Sequence, residues 1–375
     1  MRLLHTSDWH VGRKIRGRSR ASEHRDVLEE IVGTARAHHV DLTLVAGDLF
    51  DTSSPAPEDE AIVYRALLDL ADVGPVLVVG GNHDNPGRLE AVRPLLDLGR
   101  VTVVARPTHP RDGGVMAIES LGLSVAFLPF VSQRSIVRAE EIMNLDPDQH
   151  AQSYEDRVRR IIASLTEDMG VETVNVLTGH LTVYGATTGG GERESHVFGY
   201  ALPPQAFPGS LSYVGLGHLH RQQRVPAAAP VWYSGSPLQM DFGETEDAKG
   251  VLIVDAEPGR PANVEQVPLV SGTRLVQLNG TLAQVLARAD EVEGAYVKVV
   301  LDEKARSGLN EEVRDAIPGA VDVVIASNSI ERRREHPVDR GSSPVELFQT
   351  YLRSKDVDDP AVVELFRELE QDVTV

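Results

Sequence analysis

Asp8, His10, Asp48, Asn82, His180, His218 and His220 fall in five short phrases that follow one another along the chain: SDWH, AGDLFD, GNHD, TGHL and GHLH. Each offers a carboxylate oxygen, an amide oxygen or an imidazole nitrogen. The chain has no cysteine, so thiolate ligation is excluded along with disulfides and cysteine nucleophiles. Such a donor set suits a pair of hard-to-borderline divalent ions, with Mn²⁺ favoured over structural zinc. Two ions about 3.5–4 Å apart serve in-line attack on a phosphate ester. The chemistry these residues imply is phosphoester hydrolysis.

Taken singly, the phrases are less specific. Asp8 and His10 stand at i and i+2, which on an extended backbone sends both side chains to one face, though a D-x-H triplet also arises by chance. His218 and His220 repeat that spacing after Gly217, where a sharp turn can end a strand. Asp48 closes the apolar run LTLVAG; it reads either as a turn or helix-capping residue, or as a carboxylate bridging two cations. In GNHD, Asn82 supplies an amide oxygen, His83 a proton donor and Asp84 a carboxylate to orient that imidazole. An Asx-turn would account for Asn82 and Asp84 but not for His83. Ser236 has no base-plus-carboxylate context, so a covalent nucleophile is not expected there. His5 reads as a satisfied core group, and His24, His38, His39, His109, His150 and His336 as solvated residues on helix faces or loops. His196 lies in a glycine-rich loop, GATTGGGERESHVFG, and is a candidate substrate contact.

The elements that must position these residues alternate. RLLHT, DLTLV and PVLVV read as strands, with helices over 24–40, 59–74 and 88–99 between and after them. This β-α-β-α-β rhythm requires parallel strands with right-handed crossovers and places ligands beyond the strands' carboxyl ends. Shorter strands follow over 101–130, then a helix at about 152–169 and a second run of strands through VNVLTGH, SYVGLGHLH, VWYSGSP and GVLIVD. The expected fold is α/β: two sheets packed face to face in a four-layer α-β-β-α sandwich, with the site at its edge. Composition changes near 271. The expected organisation is a site-bearing domain over 1–270, a separate small α/β domain over 271–330, a linker over 331–344 and C-terminal helices over 345–375.

At 375 residues the chain exceeds one ordinary core. No stretch approaches the roughly 18 apolar residues of a membrane span. The start, MRLLHTSDWH, carries no signal-peptide pattern, so a cytoplasmic location is expected. A net charge of −19 argues against non-specific nucleic-acid binding by the surface as a whole. The run RKIRGRSR differs: Arg13, Lys14, Arg16, Arg18 and Arg20 adjoin the first metal phrase without an acid among them. It reads as a solvated loop or, beside a phosphate-processing site, as a contact to the DNA backbone. The helices at 58–72 and 87–98, with Leu67, Leu68, Leu95 and Leu96, are candidates for a homodimer bundle.

In order and content the five phrases resemble the calcineurin-like metallophosphoesterase superfamily and, more narrowly, the SbcD-type nuclease subunits of bacterial SbcC–SbcD complexes. HTSDWH, VAGDLFDTSSP, GNHD, GLGHLH and GSPLQMDFGE carry the likeness, which extends over essentially the whole chain. It implies two Mn²⁺ ions, with Mg²⁺ as a possible substitute. Asp8, His10, Asp48 and His220 would hold one ion, and Asp48, Asn82, His180 and His218 the other. His83 would be the catalytic histidine and Asp84 its partner. It further implies 3′→5′ double-strand exonuclease and single-strand or hairpin endonuclease activity in DNA repair and recombination. An SbcC-type ATPase would be the partner, in a heterotetramer with two nuclease subunits. Val345, Leu347, Phe348, Tyr351, Leu352, Leu365, Phe366 and Leu369 would dock on its coiled-coil base. Asp51 stands where archaeal and eukaryotic relatives tend to have histidine. The rival readings are a phosphoesterase for small phosphodiesters or phosphoproteins, and a catalytically silent architectural subunit.

Overall fold

The computed structural model describes residues 1–132, 135–136, 154–189, 201–326, 345, 348–349, 351–352 and 360–373. They form two compact units, one of Met1–Gln277 with Gly294–Tyr296, the other drawn from Leu278–Glu293 and Val297–Val375. His150, His196, His336, Leu347 and the linker expected at 331–344 lie outside the described residues. Among the described residues no helix is long and apolar enough to cross a membrane.

Two six-stranded sheets carry the first unit. In spatial order the first runs Asn263–Pro268, Gly250–Asp255, Arg2–Thr6, Leu42–Val45, Val76–Val79, Val101–Val104. Its last four strands are parallel, as strand–helix alternation requires. The crossovers contain α1 (Ala21–Ala37), α2 (Pro57–Ala71) and α3 (Pro86–Leu98). α3 starts where Asn85 accepts hydrogen bonds from the Gly87 and Arg88 amides with Pro86 at its first position. The second sheet runs Gln223–Val225, Val231–Tyr233, Tyr213–Gly217, Val174–His180, Leu123–Leu128, Val115–Ile118. Its four inner strands are parallel and both edges are antiparallel.

Strand alternation sorts the apolar side chains into layers. Leu3, Leu42, Leu44, Leu77, Phe127 and Val176 fill the space between the sheets. Leu4, one position on, joins Val27, Ile31, Val63 and Leu67 beneath the first pair of helices. On the other side Leu177, Val214 and Leu216 pack with Val158, Ile161 and Leu165 of the helix Tyr154–Thr166. The result is the α-β-β-α sandwich, in which Leu67 and Leu96 are core residues. Those two are withdrawn as candidates for a homodimer face, whereas Leu68 and Leu95 are exposed.

Two polar residues of this core differ from expectation or sharpen it. His24 is buried rather than solvated, because it lies three and four positions before Val27 and Leu28 on the inward stripe of α1. Its Nδ1 is 3.0 Å from the Arg20 carbonyl, and burial pushes the ring's pKa down to about 4. His5 crosses the sandwich to Tyr213, Nδ1 to hydroxyl 2.8 Å, and burial pushes His5 down to about 3 and Tyr213 well up, so both are neutral.

The second unit holds most of a three-stranded sheet, ordered Leu275–Gly280, Tyr296–Leu301, Ala320–Ile325, together with helices Leu282–Leu286 and Leu309–Ala316. Thr281 and Gln284 form a capping box at the start of the former. Near the C-terminus the Phe348 ring stacks on Phe366 at 4.0 Å between centroids.

Tyr213→Phe leaves the His5 ring unmatched in the core. It is expected to lower stability by about 1–3 kcal/mol, read as a lower urea midpoint with unchanged slope. An unchanged midpoint would mean that the bond across the sandwich contributes nothing.

Candidate metal centre

The seven donors come from the carboxyl ends of parallel strands in both sheets. Asp8 and His10 follow Arg2–Thr6, Asp48 follows Leu42–Val45, and Asn82 follows Val76–Val79. His180 ends Val174–His180, and His218 and His220 follow Tyr213–Gly217. The extended geometry expected for D-x-H and H-x-H is not what places them. Asp8, His10, Asp48 and His218 adopt φ of 52°, 45°, 53° and 102°, a region costly for side chains other than glycine. The chain therefore curls immediately after each strand. The Asp8 amide donates to the Gly47 carbonyl and the His10 amide to the Asp48 carbonyl, which fixes the two loops to each other. Gly217 does not make the turn expected of it. Its role is close approach, since a Cβ there would overlap the Ala46 carbonyl, and His218 makes the turn.

Asp48 sits at the centre. Its Oδ2 is 3.5 Å from His10 Nε2 and 3.5 Å from His180 Nε2, while Oδ1 accepts from the His83 amide at 2.9 Å. To one side, His10 Nε2 is 3.1 Å from His220 Nε2, and Asp8 completes the group. To the other, Asn82 Oδ1 is 2.9 Å from His180 Nε2 and 2.8 Å from His218 Nδ1. Asp8 also clusters with Asp48 and His180. Its carboxylate accepts from Ser7 Oγ at 2.6 Å and from the His218 amide at 2.9 Å.

The protonation pattern tests whether a cation fits. His180 Nδ1 donates to the Ala46 carbonyl at 2.8 Å, and His220 Nδ1 to Glu244 Oε1 at 2.9 Å. In its neutral form each ring then turns an Nε2 lone pair towards the cluster. At His180 that lone pair meets Asn82 Oδ1 and Asp48 Oδ2, both acceptors. Lone pairs brought together out of water repel unless positive charge lies among them. Burial opposes a charge on His180, yet Asp48 overrides it and holds the ring up at about 9. A divalent ion can replace that proton. Burial, reinforced by the neighbouring His180, pushes His218 down to about 3, so it offers a neutral nitrogen. The donors fit a divalent metal.

His83 lies half-buried beside this cluster, its ring 4.8 Å from that of His10. Asp84 does not orient it. The Asp84 carboxylate accepts from the Phe50 and Gly81 amides, whereas His83 Nδ1 is 2.8 Å from the Asp51 carbonyl. GNHD is a tight turn in which successive side chains diverge, so Asp84 braces the loop, and burial together with the charge of Asp48 pushes it up to about 7.

The basic run forms a two-stranded hairpin, Lys14–Ile15 with Arg18–Ser19. Lys14, Arg16 and Arg18 are exposed, and Arg13 is half-buried with Nη1 3.3 Å from Asp51. Arg20 is withdrawn as a DNA contact: it is buried, paired with Glu23 at 2.9 Å and bound to the Gln239 carbonyl. Among the terminal residues Leu352 is buried, which withdraws it from a partner surface. Tyr351 and Leu365 are exposed, and Val345, Phe348 and Phe366 are half-buried. The side chain of Leu369 lies outside what is described.

Three further residues belong to the site. Ser7 holds Asp8, Phe130 stacks on the His218 ring at 6.1 Å, and Glu244 holds His220. Ser7 and Glu244 had a sequence signal, their places in SDWH and GSPLQMDFGE, and Phe130 had none.

Residues 1–222 match the family model described as calcineurin-like phosphoesterase. The chain is 33% identical to the SbcD subunit of the SbcCD nuclease from Bacillus subtilis (strain 168), over 98% of this chain and 97% of that protein. Identity to the protein of that name from Escherichia coli (strain K12) is 33%, over 78% and 74%. For Rhodobacter capsulatus it is 30%, over 82% and 78%.

A Cβ at Gly81 would overlap the Asp48 carboxylate and amide. Gly81→Ala is therefore expected to weaken Mn²⁺ binding by about 10–100-fold, by isothermal titration calorimetry. Wild-type affinity in that variant would remove Asp48 from the ligand set.

Proposed function

The chain belongs to the calcineurin-like phosphoesterase family and, within it, to the SbcD subunits of SbcCD nucleases, and on that premise we propose how its residues cut DNA. It is a metal-dependent phosphodiesterase, the nuclease subunit of an SbcCD-type pair. The finer reading is a two-Mn²⁺ enzyme with 3′→5′ double-strand exonuclease and single-strand or hairpin endonuclease action. The single observation that carries it is the convergence of imidazole and oxygen donors on Asp48 Oδ2, 3.5 Å from a histidine on either side.

Asp8, His10, Asp48 and His220 would hold one ion, and Asp48, Asn82, His180 and His218 the other. A metal pair so held supplies Lewis-acid stabilisation of the phosphate and an acidified water. The protein's own part is positioning and proton transfer. His83 Nδ1 is occupied by the Asp51 carbonyl, so Nε2 is the nitrogen that meets the substrate and delivers a proton to the departing 3′ oxygen. Arg13, Lys14, Arg16 and Arg18 on the hairpin would follow the phosphate backbone. Asp51 holds Arg13 at the inner end of that hairpin.

The partner would be an SbcC-type ATPase in a heterotetramer, contacted through Tyr351, Leu365 and the half-buried Val345, Phe348 and Phe366. The small domain over residues 271–330 would act as a DNA-binding cap.

His83→Ala is expected to keep Mn²⁺ binding and lose at least about 100-fold in turnover on end-labelled hairpin DNA. EDTA should abolish turnover in the wild type. Loss of metal from His83→Ala, or cleavage in EDTA, would overturn this assignment. Removing residues 341–375 should abolish co-purification with the ATPase while Mn²⁺-dependent cleavage of single-stranded DNA persists. Retained co-purification would place the partner surface elsewhere.

A further inference from the structure

Behind His220 lies a buried ion pair to which the reaction gives no direct part. Glu244 is inaccessible to solvent, and the Lys249 side chain is 8% exposed. Glu244 Oε1 accepts from His220 Nδ1 at 2.9 Å. Its Oε2 accepts from Lys249 Nζ at 2.7 Å and from the Met240 amide at 2.9 Å. Lys249 also donates to Ser236 Oγ at 2.8 Å and to the His220 carbonyl at 3.0 Å. A charged pair taken this far out of water returns little net stability. Its geometry nevertheless bears on His220 twice, once at the ring and once at the backbone.

We propose that Glu244 and Lys249 form a positioning device that fixes the tautomer of His220, with the proton on Nδ1 and the Nε2 lone pair presented to a divalent cation. The inference rests on the two-ion reading of the site. Both groups at Glu244 Oε2 are obligate donors, and a carboxylate can accept from them and from His220 Nδ1–H together. A glutamine cannot satisfy all three. Its carbonyl oxygen is claimed by Lys249 and Met240, so its NH₂ turns to His220 Nδ1. That contact requires a lone pair on Nδ1 and moves the ring proton to Nε2, where it blocks the cation.

A shape-conserving change should therefore be harmful for a reason other than lost packing, and a second change should relieve it. With Lys249→Met added, only the Met240 amide still opposes rotation of the glutamine amide, so part of the population returns its oxygen to His220.

The test titrates Mn²⁺ into the full metal-free chain by calorimetry, for wild type, Glu244→Gln and Glu244→Gln/Lys249→Met. Metal-free thermal unfolding runs alongside. The expected result is that Glu244→Gln weakens one of two binding steps by about 10–100-fold and spares the other. The double variant should recover part of that loss while metal-free unfolding stays close to wild type. Unchanged binding in Glu244→Gln overturns the proposal. So does loss of both steps with early unfolding and no recovery, which would mark a purely structural pair. Two-bond ¹H–¹⁵N spectra of histidine-labelled, metal-free wild type read the tautomer without any variant, and a proton on Nε2 of His220 also overturns it. Wild type that binds no Mn²⁺ would instead remove the two-ion site, and this inference with it.

Discussion

A carboxylate removed from water must be answered by donors or cations, and Asp48 is answered from every side. Both its nearest glycines are dictated by it or by its histidine. A side chain at Gly81 would overlap the Asp48 carboxylate, and one at Gly47, itself at φ 89°, would overlap His180. The left-handed backbone at Asp8, His10, Asp48 and His218 is part of the same constraint. Strain of this kind persists only where the surrounding structure over-determines it. Here that structure is a pair of buried sheets whose strand ends are held by apolar packing on three layers.

Three of the clustered donors are also held from behind, each by a different device. His180 uses the Ala46 carbonyl, His220 uses Glu244, and Asp8 uses Ser7 and a backbone amide. None of these supports can rotate freely, because all lie in the core or against it. His83 is held more lightly, by one carbonyl, and is half-buried beside the cluster. A rigid set of donors next to one more accessible imidazole would separate holding a cation from handling a proton. That division suits phosphoryl chemistry, where positioning and charge stabilisation do most of the catalysis.

Charge is partitioned in the same spirit. The chain is strongly acidic overall, yet the hairpin after Asp8 and His10 presents Lys14, Arg16 and Arg18 to solvent. Arg13 is tied to Asp51, whose carbonyl in turn holds His83. Asp51 thus connects the basic hairpin with His83. In an acidic chain, such a basic hairpin beside the donors would favour an anionic substrate locally while the net charge disfavours polyanion binding elsewhere.

The sequence by itself determined the layered α/β fold and the donor set. Periodicity of apolar residues is a local property, and it alone separates strands from helices and demands parallel crossovers. The donors were legible because their type and their position after strands are both written along the chain. Tertiary structure decided what depends on direction rather than order. Asp84 follows His83 by one residue, yet it turns to Phe50 and Gly81, because a tight turn sends neighbours apart. Arg20 ends a basic run but sits at the start of α1 facing the core, where Glu23 neutralises it. His24 shares a helical stripe with Val27 and Leu28 and goes inward with them. Glu244 is remote in sequence from His220 and touches it only once the strand Gly250–Asp255 is paired into the first sheet and the second sheet is stacked upon it. Residue type and spacing encode which atoms are available; which way each side chain points is settled only when the sheets pack and every buried polar group must find a partner.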